Sequence, residues 1–107
     1  MTSRVLMVSR MKPASAETVA RLFAEHDQSD LPLKFGVTSR TLFHYQGMTL
    51  HLIQAEQEIF DNLPQLHTDP SFQHLNGRLA EHMTPLVDDW QGIRDSRAME
   101  FYHRSWI

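Results

Sequence analysis

Residues 33–56 read L-K-F-G-V-T-S-R-T-L-F-H-Y-Q-G-M-T-L-H-L-I-Q-A-E, and this stretch decides the fold. Apolar, β-branched and aromatic residues alternate with polar ones on either side of Gln46-Gly47. That is the pattern of two strands joined by a tight turn in which glycine supplies the backbone freedom. A two-residue turn sets Tyr45 opposite Met48, Phe43 opposite Leu50 and Leu42 opposite His51. Strand side chains alternate between faces, so Val37, Thr41, Phe43, Tyr45, Met48, Leu50 and Leu52 share one. Thr38, Arg40, Leu42, His44, Thr49, His51 and Ile53 share the other. There Arg40 lies diagonal to His51, across roughly 7–8 Å of backbone that two long side chains can bridge. A guanidinium and an imidazole on a partly apolar sheet face mark the place to look for chemistry.

Working outward, residues 4–11 (R-V-L-M-V-S-R-M) predict a strand with both faces at least partly covered. Pro13 ends it and opens a helix over residues 14–28, since proline is tolerated at a first helical position. Ala16, Val19, Ala20, Leu22, Phe23 and His26 recur at spacings of three and four, one apolar stripe with Asp27 at its edge. Pro32 disfavours helix in the residue before it, so residues 29–32 close that helix. Beyond the hairpin, residues 55–66 predict a short helix that Pro64 breaks. Asp69-Pro70 is a helix-start signal, an acid at the N-cap followed by proline. The helix it opens is expected to run to about Met83, with Thr84-Pro85 as its stop. Residues 85–97 form a polar connection anchored by Trp90, and residues 98–106 alternate as a last strand.

The order strand, helix, strand, strand, helices, strand is that of an α+β, ferredoxin-like split βαβ fold, a four-stranded antiparallel sheet covered by helices on one face. The uncovered face carries much apolar content, and pairing with a second copy across a two-fold axis would bury it, giving a dimeric α/β barrel. A chain of 107 residues supports one domain, residues 1–107, and not two. A formal charge of −3 and the lack of any basic cluster argue against nucleic acid. No signal peptide, lipidation motif or apolar run of spanning length is present, which argues against a membrane, and the lack of cysteine agrees with a reducing cytoplasm. The absence of cysteine excludes disulfides, thiolate metal sites and a cysteine nucleophile.

Seven histidines and six methionines are many for this length. Histidine titrates near neutrality and suits acid–base work. His26 on an apolar helix face is commonly a packed residue with one hydrogen bond. Followed by Asp27, on a helix that must pack against the sheet bearing Arg40 and His51, it is also a candidate for a shared crevice with shifted pKa values. Arg40 reads either as an ordinary ion-pair partner, of Asp27 for instance, or as an anion holder. An arginine among Leu42, Ile53 and His51 is costly unless something anionic meets it. His51 alone could be a cross-strand filler, and His44 near the turn is solvated. No metal is expected: no helical i, i+4 histidine pair, H-x-H or H-E-x-x-H occurs, and His67, His74 and His82 lie about two turns apart. No G-x-S-x-G or glycine-rich phosphate loop supports a triad or a cofactor. The methionines and aromatics, among them Met7, Met11, Met48, Met83, Phe43, Phe101, Tyr102 and Trp106, read most simply as core. Soft side chains also make adaptable walls for a flat ligand.

A-E-H-D at 24–27, L-P-L at 31–33, Gly36, R-T-L-F at 40–43 and H-L-I-Q-A at 51–55 together resemble the tetracenomycin-type aromatic polyketide cyclases, as do Thr84-Pro85, Asp89-Trp90 and the F-Y before Ser105-Trp106. The similarity covers nearly the whole chain. It implies cofactor-independent aldol cyclisation and dehydration of a poly-β-ketone, a homodimer, and transient contact with a type II polyketide synthase or its acyl carrier protein. The family's site carries over onto His26, Asp27, Arg40 and His51, with His51 or His26 expected as acid–base group, Asp27 orienting or tuning it and Arg40 holding an enolate or carbonyl oxygen. A cofactor-free anthrone-type monooxygenase and a non-catalytic polyketide-binding module are the alternatives. The chain departs from the family at Asp69, His82 and Leu86, which bear on ring choice if they border the pocket.

Overall fold

The computed structural model describes residues 3–106. Strand β1 (Ser3–Met11) leads through a 3-10 turn (Pro13–Ser15) into α1 (Ala16–His26), then a one-turn helix α2 (Leu31–Lys34). The hairpin β2 (Val37–Tyr45) and β3 (Met48–Ala55) follows. A 3-10 turn (Ile59–Asn62), α3 (Leu63–Thr68), α4 (Pro70–Leu79), β4 (Met83–Pro85) and a last 3-10 turn (Ile93–Ser96) complete the described elements. The sheet order is β2-β3-β1-β4, antiparallel throughout. This is the α+β, ferredoxin-like arrangement that the order of elements predicts.

The hairpin forms in the expected register, Tyr45 opposite Met48, Phe43 opposite Leu50 and Leu42 opposite His51. Gln46 and Gly47 both have positive φ, 46° and 76°, as a turn matched to strand twist requires. One face assignment changes. The ladder slips between Val37 and Ser39, so Val37 pairs with Ala55 and packs beside Ile53 on the Arg40 side. An extra residue in one strand reverses the side-chain alternation beyond it.

The helices cover the face of Val5, Met7, Met11 and Ile53. Val19, Leu22 and Phe23 are buried on α1, and with Met11 and Leu75 of α4 they form one core cluster. Val5, Leu31, Ala55, Ile59, Phe60, Leu63 and Leu66 form the other. The aspartate before α4 caps it as predicted: Asp69 Oδ1 accepts from Ser71 N at 2.8 Å and Phe72 N at 3.1 Å.

Elsewhere the boundaries move. Residues 33–36 are not strand. Leu31 is buried and seeds α2, and Gly36 at φ 72° turns the chain into β2 while its carbonyl accepts from Glu56 N at 2.8 Å. Pro64 does not break a helix but starts α3, where its missing N–H costs nothing. The helix opened at Pro70 stops at Leu79, and residues 83–85 leave it to pair with the free edge of β1 as β4, so Thr84-Pro85 is strand rather than stop signal. The expected last strand is overturned. Residues 98–106 carry no strand assignment; Ala98 N donates to Leu6 O at 2.7 Å, Met7 bridges Arg97, and the chain then departs. Phe101 and Trp106 are 93% and 78% exposed, and Phe43 and Tyr45 on the outer sheet face are also exposed. Phe43 and Tyr45 are not core of this chain because the helices lie on the opposite face of the sheet, and Phe101, Tyr102 and Trp106 are not because the tail that carries them is exposed beyond the sheet.

Candidate active site

Between the inner sheet face, α1, α4 and the segment around Trp90 and Ile93 lies a cavity of about 360 Å³. Its walls are mainly aliphatic and aromatic: Phe23, Phe72 and Leu75 from the helices, Met7 and Ile53 from the sheet. His26, Arg40 and His51 line it too. Three of the four predicted groups therefore meet at one hollow. Asp27 does not reach it, and stands behind Arg40.

Arg40 is fixed on three sides. Its Nε donates to both oxygens of Asp27, at 3.1 and 3.0 Å, and Nη2 stands 2.9 Å from Oδ1. Nη1 lies 2.9 Å from His51 Nε2, and the guanidinium carbon sits 4.8 Å from the centre of the Phe23 ring. The side chain is 15% exposed, against 38% for Asp27, so the ion pair is shielded on the arginine side. A guanidinium has five N–H groups. These contacts leave one on each terminal nitrogen for a ligand oxygen.

His51 is opposite Leu42 on β2 and opposite Met7 on β1, so the register that makes the hairpin also points its ring inward. Phe23 meets the ring edge-on at 5.0 Å. Arginine can only donate, so Nε2 accepts and the imidazole is neutral, with its proton on Nδ1. Burial, and then the Arg40 charge, push its pKa down to about 3. Such an imidazole is a hydrogen-bond acceptor for Arg40 and a weak base.

His26 ends α1 and is half-buried. Its Nδ1 lies 3.3 Å from Ser71 Oγ on α4, and its Nε2 has no hydrogen bond to a described residue. Burial lowers its pKa below the ordinary histidine value, as does Arg40, while Asp27 and Asp69 oppose the shift. The lowered pKa favours the neutral imidazole.

Several contributors escaped the sequence pattern. Thr49 is 2% exposed, borders the cavity and donates to Met11 Sδ at 3.1 Å. Ser71 carries no signal beyond following Asp69-Pro70. Phe23 appeared as an ordinary core residue, yet it touches both Arg40 and His51. The departures Asp69, His82 and Leu86 do not line the cavity; Asp69 caps α4 and His82 Nδ1 lies 3.0 Å from Ser15 Oγ. Among the described residues no three or more histidine or carboxylate groups stand close enough to share a metal ion.

A ferredoxin-like sheet that holds an arginine and two imidazoles over an apolar hollow fits an enzyme acting on an oxygen-rich, otherwise greasy small molecule. The family of polyketide synthesis cyclases matches residues 3–106, and the chain belongs to it. It is 46% identical over 106 residues to tetracenomycin F2 cyclase of Streptomyces glaucescens, spanning 99% of this chain and 95% of that one. The solved structure of that protein, described as a type-II polyketide cyclase, superposes with a TM-score of 0.90 at 45% identity, covering 96% of this chain and 97% of that one. An antibiotic biosynthesis monooxygenase shares the fold alone, at a TM-score of 0.54 and 17% identity over 78% of this chain and 86% of that one. This chain is an enzyme of aromatic polyketide cyclisation.

Proposed function

We propose that the enzyme closes a ring in a poly-β-ketone by intramolecular aldol addition and then aids dehydration to the aromatic product, without a cofactor. The observation that supports this most directly is Arg40, immobilised, and His26, whose Nε2 has no hydrogen bond to a described residue, on the wall of one apolar cavity. A methylene between two carbonyls is acidic enough for a neutral imidazole to deprotonate. Of the two candidate histidines, His26 suits this role, since His51 already spends Nε2 on Arg40. In this scheme His26 takes the methylene proton, the negative charge moves onto a carbonyl oxygen, and the spare N–H groups of Arg40 meet it there. Because Asp27, His51 and Phe23 have already oriented Arg40, no reorganisation is needed as that charge develops. The carbanion then attacks a distant carbonyl of the same chain, His26 returns the proton to the new alkoxide, and that hydroxyl leaves together with a proton from the adjacent carbon as water, forming the C=C bond of the conjugated ring. The apolar walls select which carbanion meets which carbonyl, an orientation task that carries much of the rate.

The outer sheet face supports a homodimer. Leu6, Val8, Leu50 and Leu52 are only half-covered there, and exposed Phe43 and Tyr45 extend the patch. A second copy would bury it, and a face of this kind is uncommon on a monomer. A substrate of this class reaches the enzyme from a type II polyketide synthase, free or on the acyl carrier protein. Among the described residues no helix is long and apolar enough to cross a membrane.

The test adds purified enzyme to a reconstituted minimal polyketide synthase, in air and anaerobically, and compares the products. A cyclised, dehydrated product that forms equally without oxygen is expected. An unchanged product pattern would defeat the proposal, and a strict oxygen requirement would replace it with oxygenation.

A further inference from the structure

Ser71 belongs to none of the patterns that first marked the site, yet it makes the one hydrogen bond from the described residues to the imidazole of His26. We propose that Ser71 is a positioning residue that accepts the Nδ1–H of His26 and so presents Nε2 to the cavity as a bare base. The inference rests on the role given to His26 above.

His26 borders two spaces, the main cavity and a small crevice between α1 and α4 that Ser71 also lines. The two nitrogens of an imidazole point in nearly opposite directions. With Nδ1 on Ser71, Nε2 is turned away from the crevice, toward the cavity that the same ring borders. Ser71 is itself fixed, because the Asp69 carboxylate accepts its backbone N–H at 2.8 Å.

A hydroxyl can donate or accept, and the chemistry chooses between them. If Ser71 donated to Nδ1, the proton would sit on Nε2 and His26 could not remove one from substrate. If it accepts, the bond persists when Nε2 gains its proton, since Nδ1–H is present in both charge states. The hydroxyl hydrogen is then directed to the crevice. The charged and titratable groups around His26 are Arg40 from β2, Asp27 from its own helix end and Asp69 ahead of α4. On the crevice side Glu25, His74 and Arg78 complete the set.

The tautomer is read by long-range proton–nitrogen NMR on ligand-free enzyme with labelled histidine. Wild type should show His26 protonated at Nδ1, and Ser71→Ala should move it toward the Nε2–H form. Ser71→Ala should lower kcat by roughly 10- to 100-fold with KM little changed, and should displace the acid limb of the pH profile. Ser71→Thr, which keeps the hydroxyl, should restore both. An Nε2–H signal in folded wild type overturns the proposal, as does a Ser71→Thr enzyme as slow as Ser71→Ala. A full-rate His26→Gln enzyme would instead remove the role of His26 and the catalytic half of the proposal with it, while the NMR signal stands on its own.

Discussion

The carboxylate of Asp27 and the guanidinium of Arg40 form a bidentate pair, with Nε 3.0 Å and Nη2 2.9 Å from its oxygens, and it aims the rest of the guanidinium at the cavity. Asp27 thus spends its hydrogen bonds on the arginine and reaches His26 only through its charge. Asp27→Asn should lower kcat about tenfold by loosening that aim, and Arg40→Gln should cost on the order of 10²–10³. Arg40→Lys should not recover the loss, because an ammonium cannot hold Asp27 bidentately and still lie over Phe23. Steady-state kinetics on the three variants checks this; near wild-type turnover by Arg40→Lys would contradict it.

The two histidines should separate in a pH profile. The acid limb of kcat/KM should fall below the ordinary histidine value, since His26 is lowered, and should vanish in His26→Gln. His51→Gln should keep the limb while slowing turnover, because it disturbs Arg40 only. A limb that disappears in His51→Gln instead would exchange the two roles.

His51 also links stability to pH. In the unfolded chain it takes a proton near pH 6.5, but in the folded protein only near 3, so between those values the unfolded state binds more protons. Its contribution is complete above 6.5 and is lost as pH falls toward 3. From pH 7 to pH 5 the loss should be up to about 2 kcal/mol. Urea unfolding at both pH values should show the difference, and His51→Gln should be flatter; equal slopes would refute the assignment.

Pocket shape should govern the product. Ala80 is exposed and lines the cavity, so Ala80→Phe narrows the hollow without disturbing the buried core. Trp90, whose indole N–H donates to Ser96 Oγ at 2.8 Å, lines it from the loop, and Trp90→Ala widens it. Both should alter the ratio of cyclised products by mass spectrometry more than the rate of substrate loss. An unchanged ratio in both would remove the walls from ring selection.

On the outer face, Phe43→Asp places a charge in the exposed apolar patch. Sedimentation should show wild type at twice the 12.5 kDa chain mass and the variant as monomer. Wild type at the monomer mass would count against the paired sheets.

What the sequence determined by itself was local. Alternation and Gln46-Gly47 set the hairpin register, and a period near 3.6 put His26 on the packed stripe of α1 beside Phe23. Asp69-Pro70 marked the start of α4. These follow from short-range geometry, in which a side chain's direction depends on its neighbours along the chain. Arg40 and His51 were legible as a diagonal pair for the same reason. Tertiary structure decided which partner each group took. Asp27 turned to Arg40, His51 Nε2 became the acceptor for an Arg40 N–H, and Ser71 arrived from α4 beside Nδ1 of His26. Use of the β1 edge was settled in space as well: residues 83–85 paired with Ser9–Met11, Arg97 bridged Met7, and the alternating tail after Ala98 was left without a ladder. Burial and charge act through distances between segments far apart in the chain, and a pattern along the chain holds no measure of those.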